Sequence, residues 1–103
     1  MDNGADLNAR NNYGHTALMD ACLSGNFVLA KALLVAGSDV NARDFHGLTE
    51  LMIAAQNGNT EVVEFLIDRG ADVTAQNNVG NTALKLALDN GHWELVQFLS
   101  LDP

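Results

Sequence analysis

Apolar residues along this chain come in short clusters, and the clusters repeat. Leu29, Ala30, Leu33 and Leu34 are spaced 1, 3, 1; so are Val62, Val63, Leu66 and Ile67. Leu95, Val96 and Leu99 begin the same series, with Ser100 in the last place. This spacing lays the apolar side chains along one helical face. It predicts amphipathic helices over 27–36, 60–69 and 93–101. A shorter pattern precedes each: Leu18 and Ala21, Leu51 and Ala54, Leu84 and Ala87, three apart and so again on one face. Thr16, Thr49 and Thr82 stand where an N-cap belongs, with a hydroxyl able to accept from first-turn N–H groups. Gly25, Gly58 and Gly91 are the expected stops of the first helices, and Gly37 and Gly70 of the second.

The whole pattern recurs with a step of 33 residues, as Gly14, Gly47 and Gly80 show. Between helix pairs lie polar segments, Ser38-Asp39-Val40-Asn41-Ala42-Arg43 and Ala71-Asp72-Val73-Thr74-Ala75-Gln76, each with a single valine as apolar anchor. Asp and Asn there can bond their own backbone, so these segments read as β-turn fingers. One such unit cannot bury enough surface to offset its chain entropy, whereas neighbours stacked side by side can. A stack of near-copies predicts a binding surface rather than an active site.

The set G-x-T-x-L-x-x-A (from Gly14, Gly47 and Gly80), then the second-helix pattern of G-N-T-E-V-V-E-F-L (Gly58–Leu66), then G-A-D-V-T-A (Gly70–Ala75), resembles the ankyrin repeat. The resemblance covers nearly the whole chain, and the second repeat, Asp44 to Gln76, carries it best. It implies an all-α repeat protein, an α-solenoid of ankyrin-type helix-turn-helix units with β-turn fingers. The expected domain is 1–103, with 1–10 the finger of a truncated preceding repeat, 11–43 and 44–76 full repeats, and 77–103 a C-terminal repeat without its finger. The chain departs from the family's T-P-L-H: it has Thr16-Ala17-Leu18-Met19, Thr49-Glu50-Leu51-Met52 and Thr82-Ala83-Leu84-Lys85. Proline at the first helical position is missing. So is the family's histidine, and with it an expected set of polar links between repeats.

The ends differ in pattern. The C-terminal unit is expected to present a finished, more polar outer face, with Ser100 in place of Leu34 and Ile67; Leu88 stands where Cys22 and Ala55 are small, as if crowding were relaxed there. The first unit carries Val28 and Val35 where the second has Glu61 and Asp68. Seven apart and so stacked on one helix face, they are a candidate face for weak self-association of an otherwise monomeric chain.

Charge narrows the partners. Thirteen acidic against five basic residues give −8, which repels phosphate backbones and argues against nucleic acid. Solubility is the plain reading of this charge, and a preference for basic partners the sharper one. No apolar run approaches the roughly 18 residues of a membrane span, and no secretory pattern opens the chain. The single cysteine, Cys22, cannot form an internal disulfide, so a reducing compartment is expected: the cytoplasm, with the nucleus as alternative.

Little points to chemistry. His15 and His46 flank glycines in adjacent loops, and His92 replaces Asn26 and Asn59, but no ligand set completes a metal site. Cys22 occupies a core slot and has no basic neighbour in sequence to activate it. No nucleophile elbow or phosphate loop is present. The reading is therefore no enzyme, no cofactor and no metal.

What remains is the part of each unit that does not repeat. Around the loop glycines these positions are Asn12, Tyr13 and His15; Phe45, His46 and Leu48; Asn78, Val79 and Asn81. On the first helices they are Asp20, Leu23 and Ser24; Ile53, Gln56 and Asn57; Leu86, Asp89 and Asn90. The family resemblance implies that fingers and first helices line a concave groove, which these residues would then face. Tyr13, Phe45, Leu48 and Ile53 are the residues with hot-spot character. The expected function is a protein or peptide interaction module; the alternative is a structural segment of a longer array with no specific partner of its own.

Overall fold

A computed structural model describes residues 9, 11, 12 and 14–100 of the 103-residue chain. Among the described residues six helices run in pairs: α1 (Ala17–Leu23) with α2 (Phe27–Val35), α3 (Glu50–Asn57) with α4 (Thr60–Asp68), and α5 (Ala83–Asp89) with α6 (Trp93–Leu99). Among the described residues there is no strand. The expected N-terminal finger (apart from Ala9) and the residues Tyr13, Leu101, Asp102 and Pro103 lie outside the described part.

The local signals act as the sequence implies. Thr16, Thr49 and Thr82 have extended backbones, and each hydroxyl accepts from the N–H of Met19, Met52 or Lys85. Asn26 and Asn59 cap α2 and α4 in the same way, accepting from Leu29 and Val62. His92 in the third unit makes no such bond. Helix ends follow one scheme at Gly25, Gly58 and Gly91. At Gly58, which has φ +74°, the glycine N–H reaches Ala55 O at 3.2 Å and the Asn59 N–H reaches Ala54 O at 3.0 Å. This paired closure needs a residue with positive φ, which glycine adopts without a Cβ penalty. The same closure at Gly37 and Gly70 ends α2 and α4 one residue earlier than the apolar pattern suggests, and α6 ends at Leu99, two residues earlier.

The finger tips are tight turns. Asp44 donates its N–H to Leu48 O at 2.9 Å, while Gly47 donates to Asp44 O at 3.0 Å with φ +81°. This is a type I turn closed by a left-handed glycine. Asn77 and Gly80 repeat it one unit later.

Units stack through their first helices. α3 packs between α1 and α5, and α2 packs on α4. The seam is lined by Ala21, Ala54 and Ala87, all buried. Leu18, Met19, Cys22, Leu51, Met52, Ala55, Val62, Val63 and Leu66 belong to the same continuous core. At about 25 cal/mol per Å² of apolar surface, this burial is the main term holding the stack.

With the family histidine missing, polar links between units come from the fingers and from the turn before α6. Arg43 Nη1 donates to Gln76 O at 2.6 Å, and Asn41 Oδ1 accepts from the Asp72 N–H at 2.9 Å. His92 Nε2 lies 3.0 Å from Gln56 O. His15 Nε2 is 3.3 Å from the Asp44 carboxylate. Met19, in the place of the family histidine, turns its sulfur to the Thr16 N–H at 3.5 Å.

The polar finish expected at the C-terminal unit is not what the side chains show. Leu84 is only half-buried, Leu88 is 42% exposed and Trp93 is exposed as well. Both leucines sit where Leu51 and Ala55 are covered by a further unit. Ser100 is polar and exposed as expected, but it does not set the character of that face.

Candidate functional site

The non-repeating residues fall into two groups once they are placed. Around the fingers, Asn12, Phe45, His46, Asn78 and Val79 are exposed, and His15, Leu48 and Asn81 are half-buried. On the first helices, Asp20, Leu23, Ser24, Gln56, Asn57, Asp89 and Asn90 are exposed and Leu86 is half-buried. Tyr13 lies outside the described residues.

Ile53 departs from this pattern. It is 2% exposed and belongs to the core. It sits on α3, which has a first helix on either side, whereas Asp20 holds the same place on α1 and stays in solvent. An apolar side chain at the mid-stack position is folded into the seam, so its failure to repeat reflects packing rather than recognition.

Asn78 is exposed but occupied. Its N–H donates to His46 O and its side-chain amide to Phe45 O, both at 3.0 Å. Its side chain also lies over Gly47, where an added Cβ would come within 2.5 Å of Asn78 Oδ1. Phe45 uses the same register one unit earlier: its ring covers Gly14, where a Cβ would meet it at 2.6 Å. Glycine in these tips is therefore required twice, by φ and by the residue of the next unit lying across it. The Phe45 ring is nonetheless 64% exposed, held in place from beneath. Asp89 and Asn90 also have local partners, Lys85 Nζ at 2.8 Å and Leu86 O at 2.7 Å.

A cleft of about 620 Å³ separates the turn after α1 from the turn after α3. Leu23 and Ser24 form one wall and Asn57 and Asn59 the other. The two helix-end glycines, Gly25 and Gly58, lie in its lining and leave it open. Sequence variability alone does not reveal this juxtaposition, which depends on stacking.

The ionisable groups of the described residues tie the units to one another. Asp44 is buried; its Oδ1 accepts from the His46 and Leu48 N–H groups at 2.9 Å, and its Oδ2 faces His15. His15 Nδ1 is 3.5 Å from Asp20. This array fixes a finger to the next finger. Burial pushes the Cys22 thiol up to about 12, and the negative Glu50 adds to the effect. The thiol is therefore neutral at physiological pH, and only a thiolate would be a nucleophile. Glu50 itself is fully buried in the first turn of α3, where the helix N-terminus favours a negative side chain. Sequence reading missed it; the signal was a carboxylate at a position that is alanine in the other two units, Ala17 and Ala83. Among the described residues, no three His, Cys, Asp or Glu side chains come together as metal ligands.

Two family comparisons bear on the chain. A family model described as ankyrin repeats in three copies matches residues 29–102, and one described as ankyrin repeats in many copies matches residues 1–51. The chain belongs to the ankyrin repeat family. Ankyrin repeats are generally protein–protein interaction modules and are typically not enzymes. No curated protein matches the chain. Among the described residues no helix is long and apolar enough to cross a membrane.

Proposed function

We propose that this chain is a non-catalytic module that binds a protein or peptide along its fingers and first helices. The observation that carries this reading is Phe45. A large aromatic ring is held in solvent on a tight turn, braced against Gly14 of the preceding finger. Leaving it there forgoes the stabilisation that burial would bring, and a rigid exposed aromatic is a typical anchor for a partner. Val79 on the next finger and Leu23 on α1 are exposed too, and His46, Gln56 and Asn57 supply polar groups around them. Tyr13 joins this set by its place in the sequence. The charge of −8 favours a partner with basic character. A lone buried thiol suits a reducing compartment, so the cytoplasm is the proposed location, with the nucleus as alternative.

The test has two steps. Immobilised chain is used to capture proteins from lysate, in parallel with a Phe45→Ala, Leu23→Ala, Val79→Ala variant. A partner retained by the first and lost by the second is then titrated by calorimetry. Phe45→Ala alone should weaken binding by about 1–4 kcal/mol with the melting temperature nearly unchanged. Equal retention by both proteins, or a Phe45→Ala variant that unfolds, would remove the proposal. Light scattering on the same samples checks whether exposed Val28 and Val35 mediate weak self-association.

A further inference from the structure

The second helices carry a different surface. On α4, the Phe65 ring lies under two cations of the chain itself. Lys31 Nζ is 5.7 Å from its centroid and the Arg69 guanidinium 5.1 Å. Lys31 is also 5.2 Å from the Phe27 centroid, and the two rings meet edge to face at 5.9 Å. Glu61, Glu64 and Asp68 line the same shallow cleft between α2 and α4. In this arrangement, phenyl faces and carboxylates surround basic side chains.

One unit later the register keeps the ring and changes the cation. Phe98 occupies the place of Phe65, and Glu64 occupies the place of Lys31 (98 − 65 = 33, 64 − 31 = 33). Asp102 stands in sequence where Arg69 stood. Between α4 and α6 lies a larger cleft of about 640 Å³, lined by Thr60, Glu64, Glu94, Gln97, Phe98 and Ser100. Among the described residues no lysine or arginine is in that lining. A phenyl face attracts a cation through its quadrupole, and two carboxylates at the rim attract it through their charge. The net charge of −8 adds long-range attraction of the same sign.

We propose that the α4–α6 cleft receives a lysine or arginine side chain of a basic protein segment, in the way that Phe65 receives Lys31 and Arg69. The stem of that side chain lies along Phe98, and its charged end meets Glu64 and Glu94. The site is built from the second helices α4 and α6 and the α6 cap Ser100, so it stands apart from the finger surface and survives or fails separately.

The test is an NMR titration of the ¹⁵N-labelled chain with the blocked peptide Gly-Arg-Gly-Arg-Gly at moderate salt. The control peptide carries citrulline, which keeps the shape and loses the charge. Saturable shifts confined to Glu64, Glu94, Gln97 and Phe98 are expected with arginine and none with citrulline. Glu64→Lys rebuilds the arrangement around Phe65, giving Phe98 a cation from its own chain. It should weaken peptide binding at least about tenfold. Glu64 is exposed, so the variant should melt like the parent. Shifts that rise linearly without saturation, shifts at the fingers and first helices instead, or unchanged binding by Glu64→Lys would overturn the proposal.

Discussion

The middle and last units are near-copies in sequence and differ in what covers them. Leu51 is 1% exposed, while Leu84, the same framework leucine one unit later, is half-buried. Ala55 is fully buried; in its place Leu88, a larger and more apolar residue, stands 42% in water. The second helices show the same contrast, with Leu66 wholly buried and Leu99 partly so. Burial here is conferred by the neighbour, not by the residue. A stack of this kind has a stability close to a sum of unit and interface terms, and the same substitution should cost different amounts at different heights.

The largest expected effect tests that directly. Leu66→Ala removes a side chain enclosed on all sides and should cost about 2–5 kcal/mol, the cavity term included. Leu99→Ala removes one already in partial contact with solvent and should cost less than half as much. Urea unfolding at a shared slope gives both values. A Leu99→Ala cost equal to or above that of Leu66→Ala would mean that the third unit, not the second, is the centre of the core.

A second pair holds the backbone fixed and varies only the neighbour. Gly58 and Gly91 end α3 and α5 with the same φ of +74°. At either, alanine brings strain of about 1 kcal/mol. At Gly91 the new Cβ meets nothing within 4 Å. At Gly58 it would lie 2.6 Å from His92 Nδ1. The imidazole would have to turn away, giving up its contact with Gln56 O. Gly58→Ala should therefore cost about 1 kcal/mol more than Gly91→Ala, the worth of one hydrogen bond. In a His92→Ala background the two should become equal, which separates the clash from the strain.

These comparisons also mark what a sequence of this kind reveals. Helix pairs, threonine caps and glycine stops were legible because each is decided within a few residues by backbone geometry. The amphipathic stripes were legible because a unit must bury one face. Helix ends were overrun by one or two residues, since apolar spacing does not register where a cap consumes the last turn. The candidate site was only partly legible. Failure to repeat singled out Phe45, which is exposed, but also Ile53, which is in the core, and Asn78, which ties one finger to another. Variability reports freedom from the repeat, and a residue can use that freedom for packing as readily as for recognition. The Lys31–Phe65 contact and the two clefts on the second helices follow from side chains 33 or more residues apart meeting across a junction, and apolar spacing along one helix carries no trace of them.

The smallest expected effect concerns the caps. Thr49 and Thr82 make the same bond, accepting from the N–H of Met52 at 3.3 Å and of Lys85 at 3.2 Å. Thr49 is buried between units and Thr82 is partly open to water. Thr82→Ala leaves a first-turn N–H that solvent can reach, so its cost should sit at the low end for a cap, about 0.5 kcal/mol. Thr49→Ala leaves the Met52 N–H in a buried site, and the desolvation of an unmet donor adds to the cap itself, bringing the cost to about 1–2 kcal/mol. Thr49→Ser keeps the oxygen and should recover most of it. Equal costs for the two alanine variants would show that capping is a purely local term here and that stacking does not amplify it; a larger cost at Thr82 would show that the last helix pair depends on its cap because it has so little else to hold it.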